Sequence, residues 1–187
     1  DIRYVWSNRL NFGKLRREEN VFWSFAPHDI SVILDMFGLP KRVLAIGRAY
    51  VHKSVADITL SAFEYENGKS AHIFVSWLNP FKEQKLAITG SEKMAVFDGV
   101  QNELVVYPHK VKLYERKNPE AINGEGERIA FPAQEPLMEE AKHFLECVEK
   151  RNIPRTDGRK ALDVLRVLEA CQKSLNKNGA HETVLGA

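Results

Sequence analysis

From Arg42 to Tyr114 the apolar residues recur at every second position. A chain that alternates over so long a stretch has to build a sheet with one face turned to a core. The pattern predicts strands at Val43 to Tyr50, Asp57 to Tyr65, Ser70 to Leu78, Gln84 to Thr89, Lys93 to Asp98, Glu103 to Pro108 and Lys110 to Glu115. Short polar turns such as Glu66-Asn67-Gly68 and Gly90-Ser91-Glu92 join them, so the expected sheet is a largely antiparallel meander.

The flanks obey other periods. Ile2 to Ser7 reads as a strand, and Asn8 to Asn20 as a long, basic, glycine-containing loop. A helix follows, ending at Gly38 before Pro40. Proline is tolerated in a first helical turn, so Pro27 places the helix start near Ser24, with Ser24 and His28 close together at its entrance. Arg116 to Arg128 is charged and aperiodic around Asn123-Gly124-Glu125-Gly126, and is expected to be a mobile loop. Two amphipathic helices close the chain. Glu135 to Lys150 carries Leu137, Ala141, Phe144, Leu145 and Val148 on one face, and Asp157 to Lys177 carries Ala161, Leu162, Leu165, Leu168, Cys171 and Leu175. Both are expected to cover the sheet. The fold class is therefore α+β: a large, open, mostly antiparallel sheet with helices on one face, forming one domain over residues 1–187.

With 27 basic and 25 acidic residues mixed along the chain, nothing forms a stripe for nucleic acid. No apolar run approaches the roughly 20 residues that span a bilayer, so no membrane is expected. Cys147 and Cys171 sit inside helical patterns, as buried thiols of a reducing cytoplasm would. There is no secretory leader, and the start at Asp1 reads as the middle of a longer chain.

No Gly-x-Gly-x-x-Gly links a strand to a helix, no His and Cys stand at zinc spacing, and no Gly-x-Ser-x-Gly occurs. A cofactor is not expected on this domain, nor a metal. His28 remains, set between Pro27 and Asp29 after a loop holding Arg9, Asn11, Lys14, Arg16, Arg17, Glu19 and Asn20. Near a helix N-terminus and cations its imidazole would favour the neutral form, a usable base; the same position also suits a histidine that only caps or packs. The cations invite an anion such as a phosphate, or form a solvated loop. Trp77-Leu78-Asn79-Pro80-Phe81-Lys82 could line a sugar site or simply end a strand.

Several stretches carry a resemblance. Ser7-Asn8-Arg9-Leu10-Asn11-Phe12-Gly13-Lys14, Arg17 to Ser31 with its Ala26-Pro27-His28-Asp29-Ile30, Ala71 to Gln84, Gly90 to Asp98 and Pro154-Arg155-Thr156-Asp157-Gly158 resemble the Gfo/Idh/MocA family of oxidoreductases. The branch they look most like acts on UDP-N-acetylglucosamine-type sugars and their uronic acids. The resemblance implies a two-domain enzyme whose N-terminal Rossmann domain, absent here, holds NAD or NADP. The second domain, similar to the C-terminal domain of glyceraldehyde-3-phosphate dehydrogenase, binds the sugar or nucleotide sugar and forms a homodimer or homotetramer through its sheet. His28 matches the family's catalytic histidine. Ser24 stands where the family has an aspartate four positions earlier, which puts a strict Asp-His relay in doubt. Arg9, Asn11, Lys14, Arg16, Arg17, Asn20, Ser24 and Lys82 are the candidate substrate contacts.

Overall fold

Residues Ile2–Phe12 form one long strand, β1, and it splits the expected meander in two. The computed structural model describes residues 1–13, 15–115, 117–132 and 135–186. After β1 come α1 (Val21–Phe37), β2 (Arg42–Arg48), β3 (Ile58–Glu64), β4 (Ser70–Ser76), β5 (Leu78–Gly90), β6 (Met94–Asp98), β7 (Glu103–Tyr107), β8 (Lys110–Lys112), β9 (Glu120–Ile122), β10 (Glu127–Arg128), α2 (Pro136–Lys150), α3 (Gly158–Asn176) and β11 (Glu182–Thr183). Nine strands make one sheet in the order β10-β7-β6-β5-β1-β4-β3-β2-β11, while β8 and β9 pair separately. β1 is parallel to β4 and antiparallel to β5. The hairpins β2-β3, β3-β4, β5-β6 and β6-β7 form as expected, but β4 and β5 lie on opposite sides of β1, and β8, expected to extend the meander, pairs with β9 while β10 takes the place beside β7. Alternation specifies a strand and its faces without naming its neighbour.

Two boundaries differ from the sequence reading. Asn8 to Phe12 belongs to β1 rather than to a loop, because the polar side chains of Asn8 and Arg9 find partners across the sheet and from α1. The stretch read as a mobile loop contains β9 and β10, paired with β8 and β7.

Register aligns the core into rows. Val5, Ala71, Phe63 and Val43 are cross-strand partners, as are Ser7, Ile73, Ser61 and Ala45, and all eight are buried. Onto these rows pack Phe22, Ala26, Ile30 and Ile33 of α1 and Val167, Leu168 and Cys171 of α3. Gly47 admits α3: a Cβ there would stand 3.1 Å from Leu175 Cδ2 and 3.0 Å from the Ile58 carbonyl. Burial pushes the Cys171 thiol up and keeps it protonated. Ser174, fully buried, ties α3 to β2 by accepting from Ala45 N at 2.8 Å and donating to Ala180 O at 2.5 Å. Ser174→Ala would orphan that buried amide, and should cost about 1 to 3 kcal/mol in chemical denaturation.

The covering helices are α1 and α3, not the two C-terminal helices. α2 keeps only Cys147 buried, with Leu137 80% and Leu145 63% exposed. An apolar helical face predicts burial against something, and the sheet surface over β1 to β4 is already filled by α1 and α3.

On the opposite face no element packs among the described residues. A row of Val105, Val96, Ala87, Trp6, His72, Ala62 and Leu44 crosses seven strands in register, flanked on one side by Phe74, Leu60 and Ile46. His72 sits at the middle of this face, hydrogen-bonded through Nδ1 to the Tyr4 hydroxyl and stacked on Trp6 at 11°. Desolvation lowers the His72 pKa below 6.5 and raises that of Tyr4. Such an imidazole takes its proton more readily in the unfolded chain. Stability is thus unaffected above about pH 6.5 and is lost as pH falls from there toward the lowered folded value. Thermal midpoints measured from pH 7.5 down to 5 should show the loss, and His72→Gln should reduce it.

Candidate active site

α1 begins four residues earlier than the apolar spacing suggests, because Asn20 caps it. The Asn20 Oδ1 accepts from Phe22 N at 3.0 Å and Trp23 N at 3.2 Å, and its Nδ2 donates to Gln172 of α3 at 2.8 Å. Pro27 consequently lies inside the helix, where the Trp23 carbonyl loses its ladder partner. His28 is not at the helix entrance. It stands seven residues beyond Val21, about 10 Å along the axis at 1.5 Å per residue. There it is exposed, one turn after Ser24 on the same face.

The next residue, Asp29, points the other way and is buried. It accepts from Ser7 Oγ at 2.8 Å, Arg9 Nε at 2.7 Å and Arg9 Nη2 at 3.1 Å. Arg9 and Asn20, read as substrate contacts, are therefore occupied in holding α1 to β1 and in capping it. The sequence reading marked neither role and gave Asp29 none of its own. An aspartate on the apolar face of a helix was the signal that could have revealed it.

The remaining candidates fall into two groups. Asn11 lies near the end of β1, where β5 bulges: Phe12 pairs with Leu78 and Leu10 with Glu83, leaving Asn79 to Lys82 looped out opposite Asn11. Phe12, Phe81 and Lys82 are exposed there. Arg16 and Arg17 lie on the exposed loop between β1 and α1, Arg16 paired to Glu19 at 2.6 Å. Lys14 lies outside the described residues. The structure joins α1 to the β1 end of the sheet through Asp29 and Arg9, but separates His28 from the helix entrance by two turns.

Between α1 and α3 runs a cleft of about 450 Å³, lined by Trp23, Pro27 and Ser31 of α1 and by Thr156, Lys160, Ala161, Val164, Leu165 and Leu168; His28 is not among its walls. Trp23 is fixed there by Nε1 donating to Gln172 at 3.0 Å. A smaller cleft of about 250 Å³ continues it past Val32 and Asp35 to Arg155. The Arg155 guanidinium, 2.7 Å from Asp35, holds that carboxyl below its usual range.

The β1–α1 connection offers little to a dinucleotide. Its one glycine, Gly13, faces the Asn11 side chain, and the first amides of α1 are taken by the Asn20 cap, so a pyrophosphate would find them occupied. These residues do not fit a dinucleotide-binding turn. Among the described residues no three His, Cys, Asp or Glu gather as metal ligands, and no helix is long and apolar enough to cross a membrane.

The model of the GFO/IDH/MocA C-terminal domain matches residues 2–96, half of the chain. The chain belongs to the GFO/IDH/MocA family. Solved structures share its fold. UDP-N-acetylglucosamine 3-dehydrogenase GnnA from Acidithiobacillus ferrooxidans superposes with a TM-score of 0.80 at 21% identity, over 94% of this chain and 54% of that one. The WlbA dehydrogenase from Bordetella pertussis, in complex with NADH and UDP-GlcNAcA, gives 0.70 at 18% over 97% and 54%. An NAD-binding protein from Listeria innocua gives 0.74 at 14% over 98% and 59%. The chain thus spans little more than half the length of these solved relatives. Comparison with curated proteins gave no match. The GFO/IDH/MocA C-terminal domain is the α+β fold expected from the sequence: a large sheet with helices on one face.

Proposed function

We propose that this chain is the substrate-binding and association domain of an NAD(P)-dependent oxidoreductase that oxidises or reduces a sugar hydroxyl, on a UDP-N-acetylated sugar. The dinucleotide is held by a Rossmann domain outside these 187 residues. The observation that carries the reading is His28, exposed on α1 yet anchored through Asp29 to the central strand, in a fold shared at a TM-score of 0.80 with a UDP-N-acetylglucosamine dehydrogenase.

His28 exchanges the proton of the sugar hydroxyl while the cofactor takes or gives the hydride. Ser24, one turn before it, can offer a hydrogen bond but not the charge of a carboxylate, so the base works without an aspartate partner. Asn11 and Lys82 at the β1 end, with Arg16 and Arg17 on the loop, contact the sugar or its diphosphate. Two buried free thiols suit a cytoplasmic protein. The open sheet face joins two copies, or four, into an oligomer.

The test is turnover of the complete polypeptide with NAD+ or NADP+, read as reduced nicotinamide, on UDP-N-acetylglucosamine, free N-acetylglucosamine and a cyclitol. Turnover confined to the nucleotide sugar supports the reading; turnover of the free sugar or cyclitol alone refutes the nucleotide requirement. A second reading, a binding or scaffold module, draws on the lack of fit to a dinucleotide in this chain. It expects UDP to bind, by calorimetry, to a polypeptide that turns nothing over.

A further inference from the structure

We infer that Asp29 is a positioning residue for His28: through Arg9 and Ser7 it fixes where the histidine stands over the sheet. This rests on the reading of His28 as the proton-transfer group. Its carboxylate is 7% exposed and receives three hydrogen bonds, all from β1: two from the Arg9 fork at 2.7 and 3.1 Å and one from Ser7 at 2.8 Å. A buried ion pair is a weak source of net stability, but the planar fork defines direction as well as distance.

Two further observations give this clamp its purpose. His28 is exposed, so packing of its own ring does not fix it. Pro27, immediately before it, removes a rung of the helical ladder. Phe22, Ala26 and Ile30 seat α1 on the sheet, and Asp29, on the other side of His28, adds the directional tie to β1. The clamp also ends on the strand that matters, because β1 runs from Arg9 directly to Asn11 and the bulge of β5 at Asn79 to Lys82. Tying α1 to β1 sets the distance between the histidine and that end of the sheet.

Asp29→Asn keeps the size of the side chain and removes its charge. In the 187-residue chain, amide residual dipolar couplings of Phe25, Ala26 and His28 should depart from their wild-type values while those of β3 and β4 persist. In the complete enzyme, assayed with NAD+ and UDP-N-acetylglucosamine, kcat should fall roughly tenfold to a hundredfold, the scale of a misplacement near 1 Å. KM should stay within about twofold, because uniform binding is untouched. On a His28→Ala background Asp29→Asn should cause no further fall. Ser7→Ala, which removes one of the three bonds, should act in the same direction and serves where Asp29→Asn does not fold. Unchanged dipolar couplings, or the same loss of turnover with and without His28, would overturn the inference. If His28→Ala alone leaves turnover intact, the reading of His28 fails, while the couplings still decide whether the clamp places α1.

Discussion

Alanine at His28 in the complete enzyme should lower turnover by about a hundredfold to ten-thousandfold, the usual contribution of a positioned acid or base. The thermal midpoint should move little. His28 is exposed on α1, no hydrogen bond or ion pair of the described residues depends on its ring, and alanine is the better helix former. The loss should be largest in kcat. Unchanged turnover with a large fall in stability would show that His28 packs rather than reacts. Loss of both together would indicate a helix that no longer folds, and circular dichroism separates that case.

A charge on the open sheet face should break the proposed oligomer with a comparably large effect. Leu60, 38% exposed, and Ile46, 45% exposed, are cross-strand partners beside the row that contains Trp6 and His72. Their exposure spares the fold when they are changed. Leu60→Asp would place a carboxylate against an apolar partner surface, where a central residue commonly contributes 2 kcal/mol or more. The dissociation constant, from light scattering or sedimentation over a concentration series, should rise at least about thirtyfold. A wild-type chain that stays monomeric at micromolar concentration would refute the interface. An oligomer indifferent to Leu60→Asp would move it elsewhere, with the exposed apolar side of α2 the next surface to test.

His72 gives that face a chemical asymmetry. Its imidazole, stacked on Trp6 and bonded to Tyr4, is already held toward the neutral form by burial in the monomer. A second copy seated as proposed would deepen the same desolvation, so acid that weakens the fold should weaken association in the same direction.

The strands of the meander, the helix ending at Gly38 and the two C-terminal helices were written in the residues themselves. Alternation and the 3.6 period are local consequences of where each Cβ points. His28 stood out there as a candidate base or a histidine that only caps or packs, and it was the resemblance that matched it to a catalytic position. The resemblance supplied the family and the expectation of a cofactor domain.

Tertiary structure decided the rest. The insertion of β1 between β4 and β5 depends on contacts far apart in sequence, which periodicity does not encode. The helix start moved from Ser24 to Asn20 because Gln172, on another helix, receives the cap from the far side. Arg9 read as a candidate sugar or diphosphate contact on a basic loop, and Asp29 carried no reading until the fold paired the two and buried the aspartate. Apolar faces on both C-terminal helices were legible, but only packing chose α3 for the sheet and left α2 outside. A sequence determines which faces seek burial; the space available once the other elements are seated determines which of them find it.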